Sequence, residues 1–112
     1  METTVLLSEI DNLLADMKAK EIKVLDVRGL SSVTDYMVIA SGTSNRHVKA
    51  ISEYLTEEVK KRGLQPMGVE GREASEWVLV DLGDVVVHVM QPQARAFYDL
   101  ERLWARPEGA AH

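Results

Sequence analysis

Apolar residues recur every three or four positions over the first twenty residues of the chain. The residues of this stripe are Leu6, Ile10, Leu13, Leu14 and Met17. Such spacing places them on one face of an α-helix, which needs another element to bury that face. The pattern therefore predicts an amphipathic helix over residues 1–20, with Thr3 or Thr4 as its N-cap.

A second helical pattern follows the short polar segment that begins at Ser41. Its apolar stripe consists of Val48, Ile51, Leu55 and Val59. Thr43 or Ser44 is the expected N-cap, because such hydroxyls accept hydrogen bonds from the amides of the first turn. Three basic residues and then Gly63 end the pattern, as is common at helix C-termini. We expect this helix to run to about Arg62.

The remaining apolar segments have the character of β-strands. Glu21–Arg28 and Gln65–Gly71 are predicted strands, and the wholly apolar segment Tyr36–Ala40 is typical of a strand buried on both faces. The clearest pattern is a hairpin over residues 77–90. There the runs WVLVDL and VVVHVM flank Gly83-Asp84, a pair suited to a tight turn.

The last predicted helix opens at Pro92, since proline is tolerated in the first turn. Its expected apolar face consists of Ala96, Phe97, Leu100, Leu103 and Trp104. We expect one domain over residues 1–105 and a flexible tail over residues 106–112. The order α-β-β-α-β-β-β-α predicts an α/β (α+β) fold with a mixed central β-sheet flanked by helices, because each helix has one apolar face to bury.

Pairing the hairpin strands through the tight turn divides their side chains between two faces. One face holds six aliphatic residues and is the expected core: Val78, Val80, Leu82, Val85, Val87 and Val89. On the other face, His88 lies opposite Leu79 and diagonal to both Trp77 and Asp81. This face either packs under a helix with His88 hydrogen-bonded to Asp81, or forms a recognition surface with Trp77 as its aromatic anchor.

Length, charge and composition narrow the class of function. The chain has 112 residues, no cysteine and a net charge of −5. The acidic balance argues against a free-standing nucleic-acid binder and favours a basic protein partner. The apolar runs are too short for a membrane span, and the amino terminus carries acids where a signal peptide carries bases. We therefore expect a cytoplasmic protein with no membrane contact.

The sequence disfavours two enzyme classes, hydrolases and nucleotidyltransferases. The segment SSVTDYMVIASGTSNRH holds serine, aspartate and histidine, but its serines are typical of turns and caps, and His47 falls inside a predicted helix. Asp26, Asp35 and Asp81 are the candidates for the Mg²⁺ site of a nucleotidyltransferase, yet none forms an Asp-x-Asp pair. One histidine beside one aspartate is too few ligands for a metal. We expect no catalytic residue, cofactor or metal.

Three segments together resemble the Iojap or ribosomal silencing factor family (RsfS). They are DVRGLSSVTDYMVIASGTSNRHVKAI, GVEGREASEWVLVDLGDVVVHVM and ARAFYDLERLW, in this order and spacing, from Asp26 to Trp104. The resemblance implies a nucleotidyltransferase-like fold without the catalytic carboxylates. It also implies binding to large-subunit ribosomal protein fourteen, on the surface that meets the small subunit. Occupying that surface would block subunit joining and lower translation when nutrients are short.

The resemblance also assigns roles to particular residues. Six positions match the partner-binding residues of the family: Trp77, Asp81, His88, Tyr98 and, less closely, Glu73 and Arg95. Trp77 would be the anchor and Tyr98 a second aromatic contact, with Asp81 and Glu73 meeting basic groups. His88 would orient Asp81 or donate to the partner.

Several alternatives stay open at the level of sequence. Organellar relatives act in assembly of the large subunit, and an assembly factor would use the same face. A nucleotide-binding domain is suggested by the expected fold alone. Peripheral contact with 23S rRNA is unresolved, as is a weak homodimer of the free protein, which an exposed aromatic face would favour.

Overall fold

Residues 2–104, the part that the computed structural model describes, form one five-stranded sheet with helices on both faces. The strands are β1 (Lys20–Asp26), β2 (Tyr36–Ser41), β3 (Gly68–Glu70), β4 (Trp77–Asp81) and β5 (Val85–Met90). The helices are α1 (Thr3–Asp16), α2 (Asn45–Lys61), α3 (Pro92–Tyr98) and α4 (Leu100–Leu103). The strand order is β1-β2-β5-β4-β3; β2 and β5 are parallel and the other neighbours antiparallel. The predicted mixed sheet flanked by helices is confirmed, and its likeness to nucleotidyltransferases stays a prediction.

The hairpin of β4 and β5 has the predicted register. Val78 pairs with Val89 and Val80 with Val87, and the Leu82 N–H donates to the Val85 carbonyl at 2.9 Å. The six aliphatic residues of the expected core face are at most 5% exposed and pack with the apolar stripes of α1 and α2. Burying each such side chain contributes about 1.5–3 kcal/mol. This face of the sheet therefore holds the fold together and is closed to partners.

Helix α2 begins and ends where the sequence predicts. Ser44 is its N-cap and accepts a hydrogen bond from the His47 N–H at 3.1 Å. Its four predicted stripe residues are fully buried. Gly63, which follows the C-cap Arg62, has a φ of +86°, a left-handed conformation that glycine adopts without strain.

Helix α1 and two of the strands are shorter than predicted. Helix α1 stops at Asp16, because Lys18 is left-handed with a φ of 58° and the Ala19 N–H bonds back to the Leu14 carbonyl. Neither predicted threonine cap is correct: Glu2 holds the N-cap position without a side-chain bond, and both threonines lie inside the helix. Strand β1 ends at Asp26, whose carboxylate accepts the Arg28 N–H and starts a turn.

Strand β3 contains only three of the seven residues predicted for it. Pro66 offers no N–H to a neighbouring strand, and Gly71 is left-handed with a φ of +88°. Strand β2, in contrast, extends one residue beyond the prediction, to Ser41.

The last predicted helix is broken into α3 and α4. Asp99, between them, is left-handed with φ 48° and ψ 53°. The predicted apolar face is confirmed at Leu100, which is buried, and at Trp104, which packs against the same core cluster. It is wrong for Ala96, Phe97 and Leu103, which are exposed, whereas Ala94 and Arg95 are buried instead. Arg95 takes the inward position because the buried Ser41 hydroxyl and the partly buried Glu101 carboxylate pair with it. The predicted tail over residues 106–112 lies outside the described residues, and the single-domain boundary at residue 105 stays a prediction.

Candidate functional site

The second face of the sheet is only partly covered. Helices α3 and α4 pack Ala94 and Leu100 against Met37, Ile39 and Met90. Beyond them, Trp77, Leu79 and Asp81 of β4 and Val86 of β5 stay partly exposed. These four residues, with Tyr98 at the end of α3, are called the recognition face below. The sequence placed all but Tyr98 on this side of the hairpin.

Trp77 is held in one orientation at the border between the covered and uncovered parts. Its indole N–H donates to Nδ1 of His88 at 2.9 Å. Its ring centroid lies 4.7 Å from that of Tyr98 and 5.8 Å from that of His88, both at tilted angles. Aromatic pairs of this kind contribute about 0.5–1.5 kcal/mol beyond the area they bury. The structure thus brings together three of the residues predicted to bind the partner.

His88 lies beneath Trp77 with 5% of its surface exposed. Because Nδ1 accepts a hydrogen bond from the indole N–H, the neutral imidazole ring carries its own proton on Nε2. That Nε2 is buried and has no hydrogen-bond partner within residues 2–104. Burial lowers the pKa of His88 to about 4, since the charged ring would lose its hydration there. His88 is therefore neutral at pH 7.

The predicted hydrogen bond between His88 and Asp81 is wrong. Asp81 lies at the far end of β4, where its carboxylate accepts the Gly83 N–H at 2.9 Å and closes the hairpin turn. His88 instead accepts a hydrogen bond from its other diagonal neighbour, Trp77. The carboxylate of Asp81 thus shapes the turn, while the imidazole of His88 fixes the indole.

Glu73 is exposed in the loop that leads from β3 into β4. The Asn45 side-chain amide donates to the Ala74 carbonyl at 3.0 Å, and the Gln91 N–H donates to the Glu76 carbonyl at 3.0 Å. At the start of the loop only glycine fits, because a Cβ on Gly71 would lie 2.1 Å from the Trp77 carbonyl oxygen. The loop is therefore fixed beside Trp77. The sequence indicated Gly71 as the end of a strand but missed this contact and Asn45.

The two acids predicted to meet basic groups are free to do so. Neither Asp81 nor Glu73 takes part in an ion pair among the described residues. Asp81 belongs to the recognition face, and Glu73 lies at the surface in the loop before Trp77, where it lines a shallow cleft with Lys49 and Glu53 of α2. An unpaired carboxylate at the surface attracts a basic partner.

Arg95 lies inside the protein and is 7% exposed. Its guanidinium donates to the Ser41 hydroxyl at 2.8 Å and to the Glu101 carboxylate at 2.7 Å. The hydrogen bond from Arg95 holds the pKa of Glu101 below its ordinary value. Arg95 thus ties the α3–α4 segment to the end of β2, and any effect it has on a partner is transmitted through that segment.

Two of the catalytic candidates, His47 and Ser41, hold elements of the fold together. His47 accepts the Thr43 N–H at Nδ1 and lies 2.8 Å from the Met17 carbonyl through Nε2, which joins the start of α2 to the end of α1. Ser41 is bonded to Arg95. Within residues 2–104, no three His, Cys, Asp or Glu side chains are grouped so that they could hold a metal ion, and no helix is both long and apolar enough to cross a bilayer.

Comparison with known proteins points to one family. The family model described as "Ribosomal silencing factor during starvation" matches residues 1–111. The ribosomal silencing factor RsfS of Haemophilus influenzae is 48% identical over 89 residues, which cover 80% of this chain and 87% of that protein. The Mus musculus protein "Mitochondrial assembly of ribosomal large subunit protein 1" is 41% identical over 96 residues, 83% of this chain and 42% of that protein. A crystal structure from Chromobacterium violaceum, 44% identical, superposes with a TM-score of 0.91 and covers 95% of this chain and 89% of its own.

Proposed function

Because the chain belongs to the ribosomal silencing factor family, we propose that it binds the large ribosomal subunit and keeps the two subunits apart. The proposed contact is large-subunit ribosomal protein fourteen, on the surface that meets the small subunit. A protein bound there would obstruct joining by its bulk, and translation would fall when nutrients are limiting. The proposal needs no chemical step and no cofactor, and it places the protein's action in the cytoplasm, with the ribosomes.

The observation that carries the proposal is the fixed Trp77 ring at the edge of a partly exposed sheet face. Ordered aromatic side chains lose little conformational freedom on binding, and tryptophan and tyrosine are enriched among the residues that dominate interfaces. We assign direct contact to Trp77 and Tyr98. We assign His88 an indirect role through Trp77, because it is buried, and Arg95 an indirect role through α3 and α4.

Charge supports a basic partner for the same face. The chain carries a net charge of −5. Asp81 of the recognition face and Glu73 of the loop before Trp77 take part in no ion pair within residues 2–104. Opposite charges across an interface speed encounter and set its orientation more than they add to affinity. We therefore assign Asp81 and Glu73 to the rim of the contact and Trp77 to its centre.

The test is sedimentation of purified small and large ribosomal subunits in Mg²⁺, with and without the protein. The expected result is that the protein migrates with the large subunit and the peak of joined ribosomes disappears. Trp77→Ala should weaken binding by about 2 kcal/mol or more, which is roughly thirtyfold in the dissociation constant. Val33→Ala is the control, because Val33 is 82% exposed in the loop between β1 and β2.

Normal joining, with the protein left at the top of the gradient, would contradict the proposal. A Trp77→Ala variant that binds as tightly as the unaltered chain would contradict the assignment of the face alone. Circular dichroism of the variant separates a lost contact from a lost fold.

A second candidate function is assembly of the large subunit, favoured by the name of the murine relative. Both functions would use the same docking face. They differ in the particle bound: an assembly factor would migrate with precursors of the large subunit in cell extracts, whereas a silencing factor would migrate with mature subunits.

A further inference from the structure

Large apolar side chains are exposed at the corner where α3 meets α4. Phe97 is 81% exposed, Leu103 70% and Tyr98 50%. The other exposed apolar residues of the described chain belong to other elements: Val5, Val24, Leu30, Val33 and Met67. Contiguous apolar surface of this kind marks the places where another molecule binds.

The exposure of Phe97 follows from the burial of Arg95. The Arg95 guanidinium is directed inward to Ser41 and Glu101. Phe97 is two residues further along the helix, about 200° around its axis, and so lies on the opposite side. The left-handed Asp99 then turns the chain, and Leu103 of α4 projects beside Phe97.

The corner contains a cleft that is continuous with the recognition face. The cleft has a volume of about 550 Å³ and is lined by Ala96, Phe97, Tyr98, Asp99, Arg102 and Leu103. The Phe97 ring meets Tyr98 edge-on at 5.0 Å between centroids, and Tyr98 packs on Trp77 at 4.7 Å. The three rings form one row from the exposed corner to the edge of the sheet.

We propose that Phe97 and Leu103 form the outer part of the docking surface and take an apolar side chain of the same large-subunit protein that contacts Trp77. The inference rests on the proposed function, since it extends the same interface. Tyr98 borders both parts, so a partner seated on Trp77 reaches the adjoining cleft. The cleft is lined by one acidic residue, Asp99, and one basic residue, Arg102, so its formal charge is zero, which favours an apolar side chain over a charged one.

The test compares Phe97→Ser and Leu103→Ser with the unaltered full chain in titrations against purified large subunits. Both side chains are exposed, so the fold should survive, and thermal unfolding checks that it does. Val33→Ser is the matched control, because Val33 is as exposed as Phe97 but lies in the loop between β1 and β2. We expect Phe97→Ser to weaken binding by about tenfold or more, Leu103→Ser to weaken it as well, and Val33→Ser to change it by less than about twofold.

The outcomes separate the inference from the function on which it rests. Undiminished binding by Phe97→Ser, alongside loss of binding by Trp77→Ala, would overturn the inference and leave the proposed function standing. Failure of the unaltered chain to bind large subunits would overturn both. If Phe97→Ser left ribosome binding intact but converted a dimer of the free protein into monomers, the cleft would belong to a second copy and the inference would be wrong.

Discussion

The hydrogen bond from Trp77 to His88 requires an unprotonated Nδ1 on the imidazole, and burial keeps it so. The pKa of His88 is about 4 in the folded protein, against about 6.5 in the unfolded chain. Between these values the folded state binds fewer protons than the unfolded state. The free energy of unfolding should therefore fall as the pH drops from about 6.5 to about 4, by about 3 kcal/mol in total. Above this range His88 contributes no pH dependence.

Urea unfolding at pH 7.5 and at pH 4.5 measures this effect, with His88→Gln as the reference. Glutamine offers an acceptor to the indole but does not titrate, so the variant retains only the pH dependence of the other groups. The unaltered protein should lose more stability than the variant over this range. Equal losses would mean that His88 does not titrate as its burial implies.

The sequence predicts which side chains share a face of the sheet better than it predicts which of them form hydrogen bonds with each other. Strand alternation places Trp77, Asp81 and His88 on one face of the hairpin, and the structure confirms this. Alternation cannot choose between two diagonal neighbours of one histidine. That choice depends on the reach of each side chain and on the turn at Gly83, whose N–H already occupies the Asp81 carboxylate.

At the level of elements, the periodicity of apolar residues was sufficient to predict an element's ends or register where a single apolar stripe packs against the core. This holds for α2 and for the hairpin of β4 and β5, whose ends and register follow the pattern. It fails after Pro92, because a pattern rule assigns phenylalanine to the core and arginine to the surface. Arg95 reverses that assignment by pairing with Ser41 and Glu101, and the left-handed Asp99 breaks the helix. Neither the burial of Arg95 nor the left-handed backbone at Asp99 can be detected from the pattern of apolar residues.

The buried guanidinium of Arg95 should therefore matter to the fold of α3 and α4. Arg95→Ala leaves the Ser41 hydroxyl and the Glu101 carboxylate without their donor, and Glu101 is still partly in contact with solvent. We expect the free energy of unfolding to fall by about 2–3 kcal/mol. Arg102→Ala, at an exposed arginine of the same segment, should change it by about 0.5 kcal/mol or less.

Chemical denaturation of both variants tests the difference, and near-ultraviolet circular dichroism of Trp77 and Tyr98 reports on the aromatic packing. Equal stabilities of the two variants would show that the hydrogen bonds of Arg95 do not hold the segment.

On the scale of the whole molecule, the two faces of the sheet differ in how completely helices cover them. Helices α1 and α2 close one face with a continuous apolar core. The short α3 and α4 cover only part of the other and leave the recognition face and its aromatic row accessible. If the proposed contact is correct, recognition uses the side of the strands opposite the larger core, so the exposed residues of the recognition face can be altered without dismantling that core.

Surface charge controls how fast a protein meets a charged partner. If Asp81 and Glu73 guide a basic partner, then neutralising them should lower the association rate with large subunits and reduce its dependence on salt. The double variant Asp81→Asn with Glu73→Gln is suitable, because asparagine keeps an acceptor for the Gly83 N–H. We expect association to slow by about threefold to tenfold at low ionic strength, with a smaller effect on dissociation.

The matched control for this prediction is Asp11→Asn with Glu57→Gln. Asp11 is exposed on α1 and Glu57 on α2, the helices that cover the other side of the sheet, and the variant changes the net charge by the same amount. Stopped-flow association at several salt concentrations compares the two variants. If only the first slows association, the carboxylates of Asp81 and Glu73 guide the encounter. If both slow it equally, attraction depends on the net charge alone, and Asp81 and Glu73 have no special place in the interface.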